Sequence, residues 1–419
     1  MTQTSAPARD QVPLPKALTG LRVLDLRRVL AGPLCAQILA DMGAEVIKIE
    51  RPNVGDDTRH WEPSFASDKE GVERHSSYFW SVNRGKESVT INLATEEGAT
   101  LIRQLVSMSD ILVENYKVDD LARYGLSYAD LSVINPRLVY CSITGFGQTG
   151  PYRSRSGYDT IIQAMGGLMS ITGEKDGRPG GGPQRCGVPV IDMMTGVYSA
   201  LAILAAIRFR DLSNLGQHID MSLLDVQVAT LAYFGVDYLA TDRVQKRTGN
   251  SNPVSHPSGA YTCADGELVI LVGNNEQFVR FCSAIEMPEL AEDARFAGSA
   301  GRVVHGAELN QLIGPKLLLH PVAYWSKVLE LAGIPYGPIN DIAGVFANPQ
   351  VQFRQAATSV SHEYLGEIPI VANPIKMSVT PPSYERPPPM LGEHTASVIE
   401  RLLGLSQEEI KNLKSKKII

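Results

Sequence analysis

One carboxylate stands in a run of apolar and small residues, GVPVIDMMTG, at 187–196. Asp192 follows Val188, Pro189, Val190 and Ile191 and precedes Met193 and Met194, and an apolar stretch from Val197 to Ile207 is broken only by Ser199. An unpaired buried carboxylate costs several kcal/mol, so its presence asks for a role. Two compatible readings are open. Asp192 caps the helix expected over about 193–209, as Asp does well, or it acts as a nucleophile. Backbone N–H groups at a helix start favour the ionised form. An Asp that starts near ~3.9 and is raised by about 3 units is still half ionised at pH 7.

Cationic residues gather at the ends of apolar runs. RRVLAGP (27–33) supplies Arg27 and Arg28 at a strand-to-helix turn, where Gly32 lets a ligand approach the backbone. Taken singly these arginines are solvated charges; at a strand end, one of them binding an anion is the alternative. Lys48, Arg51 and Arg59 surround a second such end, and Asn115, Tyr116, Lys117 and Arg123 a third. Together they suit a phosphorylated carrier, with Tyr116 stacking on a base. The turn is not G-x-G-x-x-G, which weakens a Rossmann dinucleotide site. The eight histidines show no H-x-H or H-E-x-x-H spacing, so no metal is expected. Cys35, Cys141, Cys186, Cys263 and Cys282 form no C-x-x-C pair, which fits a reducing compartment.

These residues sit on an alternating framework. LRVLDL (21–26), AEVIKIE (44–50), SVTINL (88–93), DILVEN (110–115) and RLVYCSIT (137–144) read as strands. LCAQILADMG (34–43) and the segment opening at Thr95 read as helices, and Ser127 with Asp130 forms a capping box. Strand–helix alternation implies an α/β domain with a largely parallel sheet. GFGQTGPYRSRSGYD (145–159) is a loop leaving a strand's C-terminal end, where open α/β sheets bind ligands. A long helix is expected over about 221–240, then a hairpin turning at Asp265-Gly266, then a helical segment to about 335. The expected organisation is a mobile N-terminal arm (1–19), a large domain (20–222), a linker (223–247), a small α+β domain (248–345) and a return to the large domain (346–419).

The 419 residues are too many for one small core. A net charge of −6 argues against a nucleic-acid partner. The longest apolar stretch, about eleven residues, falls short of the ~20 that span a bilayer. With no secretory signal at the N-terminus, a soluble cytoplasmic protein is expected, with mitochondria as the alternative compartment.

Several stretches together resemble the family III CoA-transferases, the group that includes formyl-CoA transferase and the α-methylacyl-CoA racemases. They are LRVLDLRRVLAGPLCAQILADMGAEVIKIERPNVGDDTR (21–59), SVNRGKESVTINL (81–93), DILVENYKVDDLARYGL (110–126), CSITGFGQTGPYRSRSGYD (141–159), GVPVIDMMTG, GIPYGPIND (333–341) and RPPPMLGEHT (386–395). The pattern is most similar to succinyl-CoA-dependent dicarboxylate transferases, such as succinate–hydroxymethylglutarate, itaconate and citramalate CoA-transferases. The resemblance implies a Rossmann-like large domain in an interlocked homodimer, with CoA thioesters as substrates and no permanent cofactor. It implies that Asp192 attacks the thioester, passing through an anhydride and an aspartyl-CoA thioester. It carries CoA contacts onto Leu30, Ala31, Arg51, Ile91, Asn115, Tyr116, Lys117, Arg123, Ser156, Gly157, Tyr158 and Asp159. Substrate-side candidates are Arg28, Tyr158 and His256. Formyl-CoA transferases carry glutamine where this chain has Leu30, and a glycine-rich lid where it has GNSNPVSHPSG (249–259), which argues against oxalate. The racemases have histidine at the Tyr158 position, and a phenol is a poor general base at pH 7. Racemisation of 2-methylacyl-CoA and non-catalytic acyl-CoA binding are the rival readings.

Overall fold

A computed structural model describes residues 14–62, 64–67, 74–252, 254–363 and 365–419. The chain divides into two units: residues up to Gly166, Gly187–Gly235 and Phe353–Ile419 form the first, and Gly167–Cys186 with Val236–Gln352 the second. Of the expected N-terminal arm, residues 1–13 lie outside the described residues. Residues 14–20 include turns tied to the body, with Leu18 N–H donating to Met42 O at 3.0 Å.

The first unit is built on strands β1 (Arg22–Asp25), β2 (Glu45–Glu50), β3 (Lys86–Thr90), β4 (Ile111–Glu114), β5 (Val139–Thr144) and β6 (Gln217–Ser222). They pair in the order β3-β2-β1-β4-β5-β6, every pair parallel. The first five are almost continuously buried, as strands covered on both faces must be. The order reverses between β1 and β4, and a crevice opens beyond the carboxyl ends of strands at such a point. Helix α1 (Ala31–Asp41) follows β1 directly. Helix α2 (Glu96–Ser107) is capped by Thr95, and α3 (Tyr128–Ile134) by the Ser127–Asp130 capping box.

Several expectations are corrected here. QHIDMS, which showed no apolar run, is strand β6: its residues alternate in exposure, and pairing with β5 makes it a strand. The helix expected over about 193–209 runs from Val190 to Ser213 and begins before Asp192; two shorter helices, α4 (Asp159–Met165) before it and α6 (Leu223–Thr230) after it, flank this helix, α5. At 24 residues α5 is long and apolar enough to cross a membrane by length and composition, which the stretch of about eleven did not anticipate. It packs instead on α1 and the sheet through Ile191, Thr195, Gly196, Ser199, Ala200, Ile203 and Ile207. A helix so apolar nearly all round reads as buried, yet Val197, Leu201 and Leu212 are exposed. The single helix expected over about 221–240 is two, α6 and Ala232–Thr241, bent by 78° at Leu231.

The C-terminal segment completes the first unit. Val398, Ile399, Ile410, Ile418 and Ile419 enter the core formed by β1–β5, α2 and α3. The RPPPMLGEHT stretch clasps β3: Gly392 N–H donates to Ser88 Oγ at 2.8 Å and His394 N–H to Ser88 O at 2.9 Å. The second unit carries an antiparallel sheet of Ser258–Thr262, Glu267–Leu271 and Tyr336–Pro338 over a core with Phe278, Phe281, Phe296 and Trp325.

Candidate active site

At the switch point, a cavity of about 500 Å³ opens among the loops that follow β1, β4 and β5. Arg28, Leu30 and Ala31 line it from the β1 side, Asn115, Tyr116, Lys117 and Arg123 from the β4 side, and Ser156, Gly157 and Tyr158 from the loop after β5. Asp192 completes the wall. The remaining candidates lie elsewhere. Arg51 reaches the rim through Asp57, its Nη2 3.0 Å from Oδ1. Ile91 is buried in the apolar core. Asp159 stands behind Asp192. His256 belongs to the second unit, buried, with Nε2 2.9 Å from Asn310 Oδ1, which also accepts from Tyr261 at 3.0 Å.

The turn after β1 is strained and held from outside. Val29 has φ of 73°, a left-handed conformation that β-branched residues rarely adopt. Asn115 Oδ1 accepts from Arg28 N–H at 3.3 Å while its Nδ2 donates to Arg28 O at 2.9 Å. Asp56 Oδ1 accepts from Val29 N–H at 3.3 Å. Both ends of the Asn115 amide therefore shape the wall. Across the cavity, Gly157 lies so close to Gly145 that a Cβ on Gly145 would stand 2.5 Å from Gly157 Cα.

Beneath the turn runs a buried row of ion pairs. Lys86 Nζ meets Asp25 Oδ2 at 2.9 Å, Lys48 Nζ meets Asp56 Oδ2 at 2.9 Å, and Arg59 grips Glu50 with bonds of 2.7 and 2.8 Å. Burial alone would raise the Asp56 carboxyl; the Lys48 charge and bonds from Thr58 outweigh it and hold the carboxyl below its ordinary range. Lys48 and Arg59 thus support the turn and do not face a ligand, contrary to the carrier-binding expectation. Arg27 is also turned inward, fully buried against Gly32, with Nε 3.9 Å from Asp25 Oδ1. Of the two adjacent arginines, Arg28 is the one that reaches the cavity. Its Nη1 lies 3.0 Å from Asp57 Oδ2 and its Cζ 5.9 Å from the Tyr116 ring centroid.

Asp192 is not the cap of its helix. It is the third residue of α5, and Pro189 stands at the N-cap with no side-chain acceptor. The cap comes from another helix: Asp159 Oδ2 accepts from Ile191 N–H at 2.8 Å and from Asp192 N–H at 3.2 Å. Among the described residues no donor reaches the Asp192 carboxylate. Burial first, and the charge of Asp159 second, push its pKa up to about 7. Tyr78, from the short helix Ser77–Ser81, feels the Asp192 charge without lining the cavity, and the sequence did not signal it. Burial and then the Asp192 charge push its phenol up to about 12, so it stays protonated at neutral pH. An acid half ionised near neutrality, free of internal donors and open to a cavity, is chemically suited to attack a carbonyl carbon.

The model of CoA-transferase family III matches residues 18–395. The succinate–glutarate CoA-transferase of Agrobacterium fabrum is 48% identical over 390 residues, covering 92% of this chain and 95% of that protein. The mouse succinyl-CoA:glutarate CoA-transferase is 40% identical, covering 95% and 89%. A crystal structure of a CaiB/BaiF family protein from Brucella suis superposes with a TM-score of 0.84 at 42% identity, covering 93% of this chain and all of that one. The parallel sheet, the cavity at its switch point and these likenesses over nearly the whole length agree: the chain belongs to CoA-transferase family III.

Proposed function

We propose that this chain transfers CoA from succinyl-CoA to a second dicarboxylic acid, with glutarate the first acceptor to test. The observation that carries this reading is Asp192, a carboxylate poised near neutrality on the wall of the cavity. Its oxygen attacks the thioester carbonyl, the C–S bond breaks, and CoA leaves as a thiolate from a mixed anhydride. The thiolate attacks the aspartyl carbonyl, releasing succinate and leaving an aspartyl-CoA thioester. The acceptor carboxylate displaces CoA to give a second anhydride, and the returning thiolate attacks the acceptor's carbonyl. The new acyl-CoA leaves and the Asp192 carboxylate is restored. Holding the partners in one cavity supplies effective molarities of ~10⁵ M or more. The burial of Asp192 favours the attack, and substrate filling the cavity would keep water from the anhydrides.

Arg28 supports the dicarboxylate part of the reading. One of its N–H groups is held by Asp57, and its guanidinium fork has further donors for the far carboxylate of a substrate. A charge-assisted bond contributes ~1.5–3 kcal/mol. Arg28→Leu should therefore lower the use of succinate about ten- to a hundredfold and spare monocarboxylates of similar length. Equal losses for both would remove the assignment.

We further infer a homodimer, supported by the exposed Val197, Leu201 and Leu212 of α5, and a compartment that holds acyl-CoA, the cytoplasm or mitochondria. The test of function is incubation with succinyl-CoA and a panel of free acids. New acyl-CoA species support transfer. Solvent deuterium entering the α-position with no acid exchange would instead make the chain a racemase, and binding without turnover would make it a carrier.

A further inference from the structure

Asp159 aligns with the CoA-contacting segment, yet its carboxylate is fully engaged by the protein. It is 7% exposed. Oδ1 accepts from Gln163 Nε2, one turn along α4, at 2.5 Å. Oδ2 accepts from the Ile191 and Asp192 N–H groups. The first N–H groups of a helix have no partner within it. In α5 each is accounted for: Val190 donates to Val188 O at 2.8 Å, Ile191 and Asp192 donate to Asp159, and Met193 donates to Pro189 O at 3.1 Å. The backbone that carries Asp192 is therefore fastened by a residue 33 positions earlier in the chain.

We propose that Asp159 is a positioning residue for Asp192, acting in two separable ways: its oxygen fixes the first turn of α5, and its negative charge opposes the charge that Asp192 must acquire before it attacks. This deepens the reading of Asp192 as nucleophile and rests on it. The charge of Asp159, on α4, acts on Asp192, and the charge of Asp192 acts in turn on the Tyr78 phenol. Helix α1 meets α5 at Gly196 with uncharged Ala31 and Leu34, and the titratable and charged groups lining the same cavity are Arg28, Asp57, Tyr116, Lys117, Asp120, Arg123, Arg153, Arg155 and Tyr158. Of the carboxylates nearby, Asp159 is the one bonded to the Asp192 backbone and the one whose charge bears on Asp192. Capping by an outside carboxylate leaves the Asp192 side chain free for substrate, which a self-capping Asp192 would not be.

Two variants separate the roles. Asp159→Asn keeps an oxygen for the α5 N–H groups and removes the charge. Asp159→Ala removes both. For Asp159→Asn we expect wild-type affinity for CoA by titration, a folded protein, and an acid limb of kcat/KM moved to lower pH by roughly half a unit. For Asp159→Ala we expect the same displacement with a fall in kcat at every pH. The Asp192 carboxyl titration is also read directly, by ¹³C resonance in aspartate-labelled protein, assigned with Asp192→Asn. That readout stands whether or not CoA transfer is observed, and it needs only the Asn variant should the Ala variant not fold. An Asp192 titration unchanged by Asp159→Asn would overturn the charge role. A Kd for CoA raised tenfold or more in the Asn variant would make Asp159 a ligand contact. Wild-type kcat in the Ala variant would overturn the positioning role.

Discussion

An aspartate that titrates near pH 7 inside a folded protein weakens the fold whenever it is ionised. Asp192 lies at about 7 when folded, against 3.8 for the ordinary side chain. Below the lower value it is neutral in both states and nothing is lost. Between the two, only the unfolded chain is ionised, and stability falls by about 1.4 kcal/mol per pH unit. Above the folded value the loss is complete and constant. Asp192→Asn should therefore be more stable than wild type at pH 8 by a few kcal/mol, with the gain shrinking toward pH 4 to 5. Denaturant midpoints at pH 5 and pH 8 check this, and an equal difference at both would contradict it. Asp192 was legible in the sequence because an acid in an apolar run is conspicuous. That Asp192 does not cap its own helix was not readable there, since the α5 N–H groups are met by Asp159, far away in the chain. Lys48 and Arg59 looked like ligand-binding charges because the sequence does not reveal that Asp56 and Glu50 already neutralise them. Tyr78 lies in SSYFWS, where nothing distinguishes it from a core aromatic.

At the scale of elements, the site depends on how closely α1 and α5 cross. A Cβ on Gly196 would stand 2.6 Å from Ala31 O and 3.2 Å from Leu34 Cβ. Gly196 lies one turn after Asp192, so the same crossing sets the distance between Asp192 and the Leu30–Ala31 wall. Gly196→Ala should force the helices apart, cost about 1–3 kcal/mol of stability and lower kcat more than it changes KM. A variant with wild-type stability and turnover would show that the crossing has slack. Five strands of the main sheet were readable because their apolar runs are bounded by turn residues. Strand β6 was not, because His218 and Asp220 interrupt its apolar residues and only pairing with β5 makes it a strand. The bend at Leu231 was hidden for a different reason: neither Gly nor Pro marks it, and the positive φ of 50° falls on Ala232.

For the whole molecule, the exposed side of α5 carries the expectation. Val197, Leu201 and Leu212 are 49%, 60% and 69% exposed in the single chain, an apolar stripe on a central helix. The inferred homodimer covers it. Sedimentation at nanomolar concentration should show a species of twice the 45.5 kDa chain mass, and a compact species at the chain mass would contradict the inference. The α/β class and the place of the cavity followed from strand–helix alternation and glycine-rich loops at strand ends. The assignment of Gly167–Cys186 to the second unit did not, because it rests on contacts between segments far apart in sequence.

The central claim is that Asp192 becomes acylated, and covalent trapping tests it most directly. Protein mixed with succinyl-CoA, quenched and digested should carry a CoA or succinyl adduct on the peptide containing VIDMMTG, removable by hydroxylamine, and Asp192→Asn should carry none while still binding CoA. A wild-type peptide with no adduct during turnover, or an Asp192→Asn protein that transfers CoA at the wild-type rate, would contradict the account.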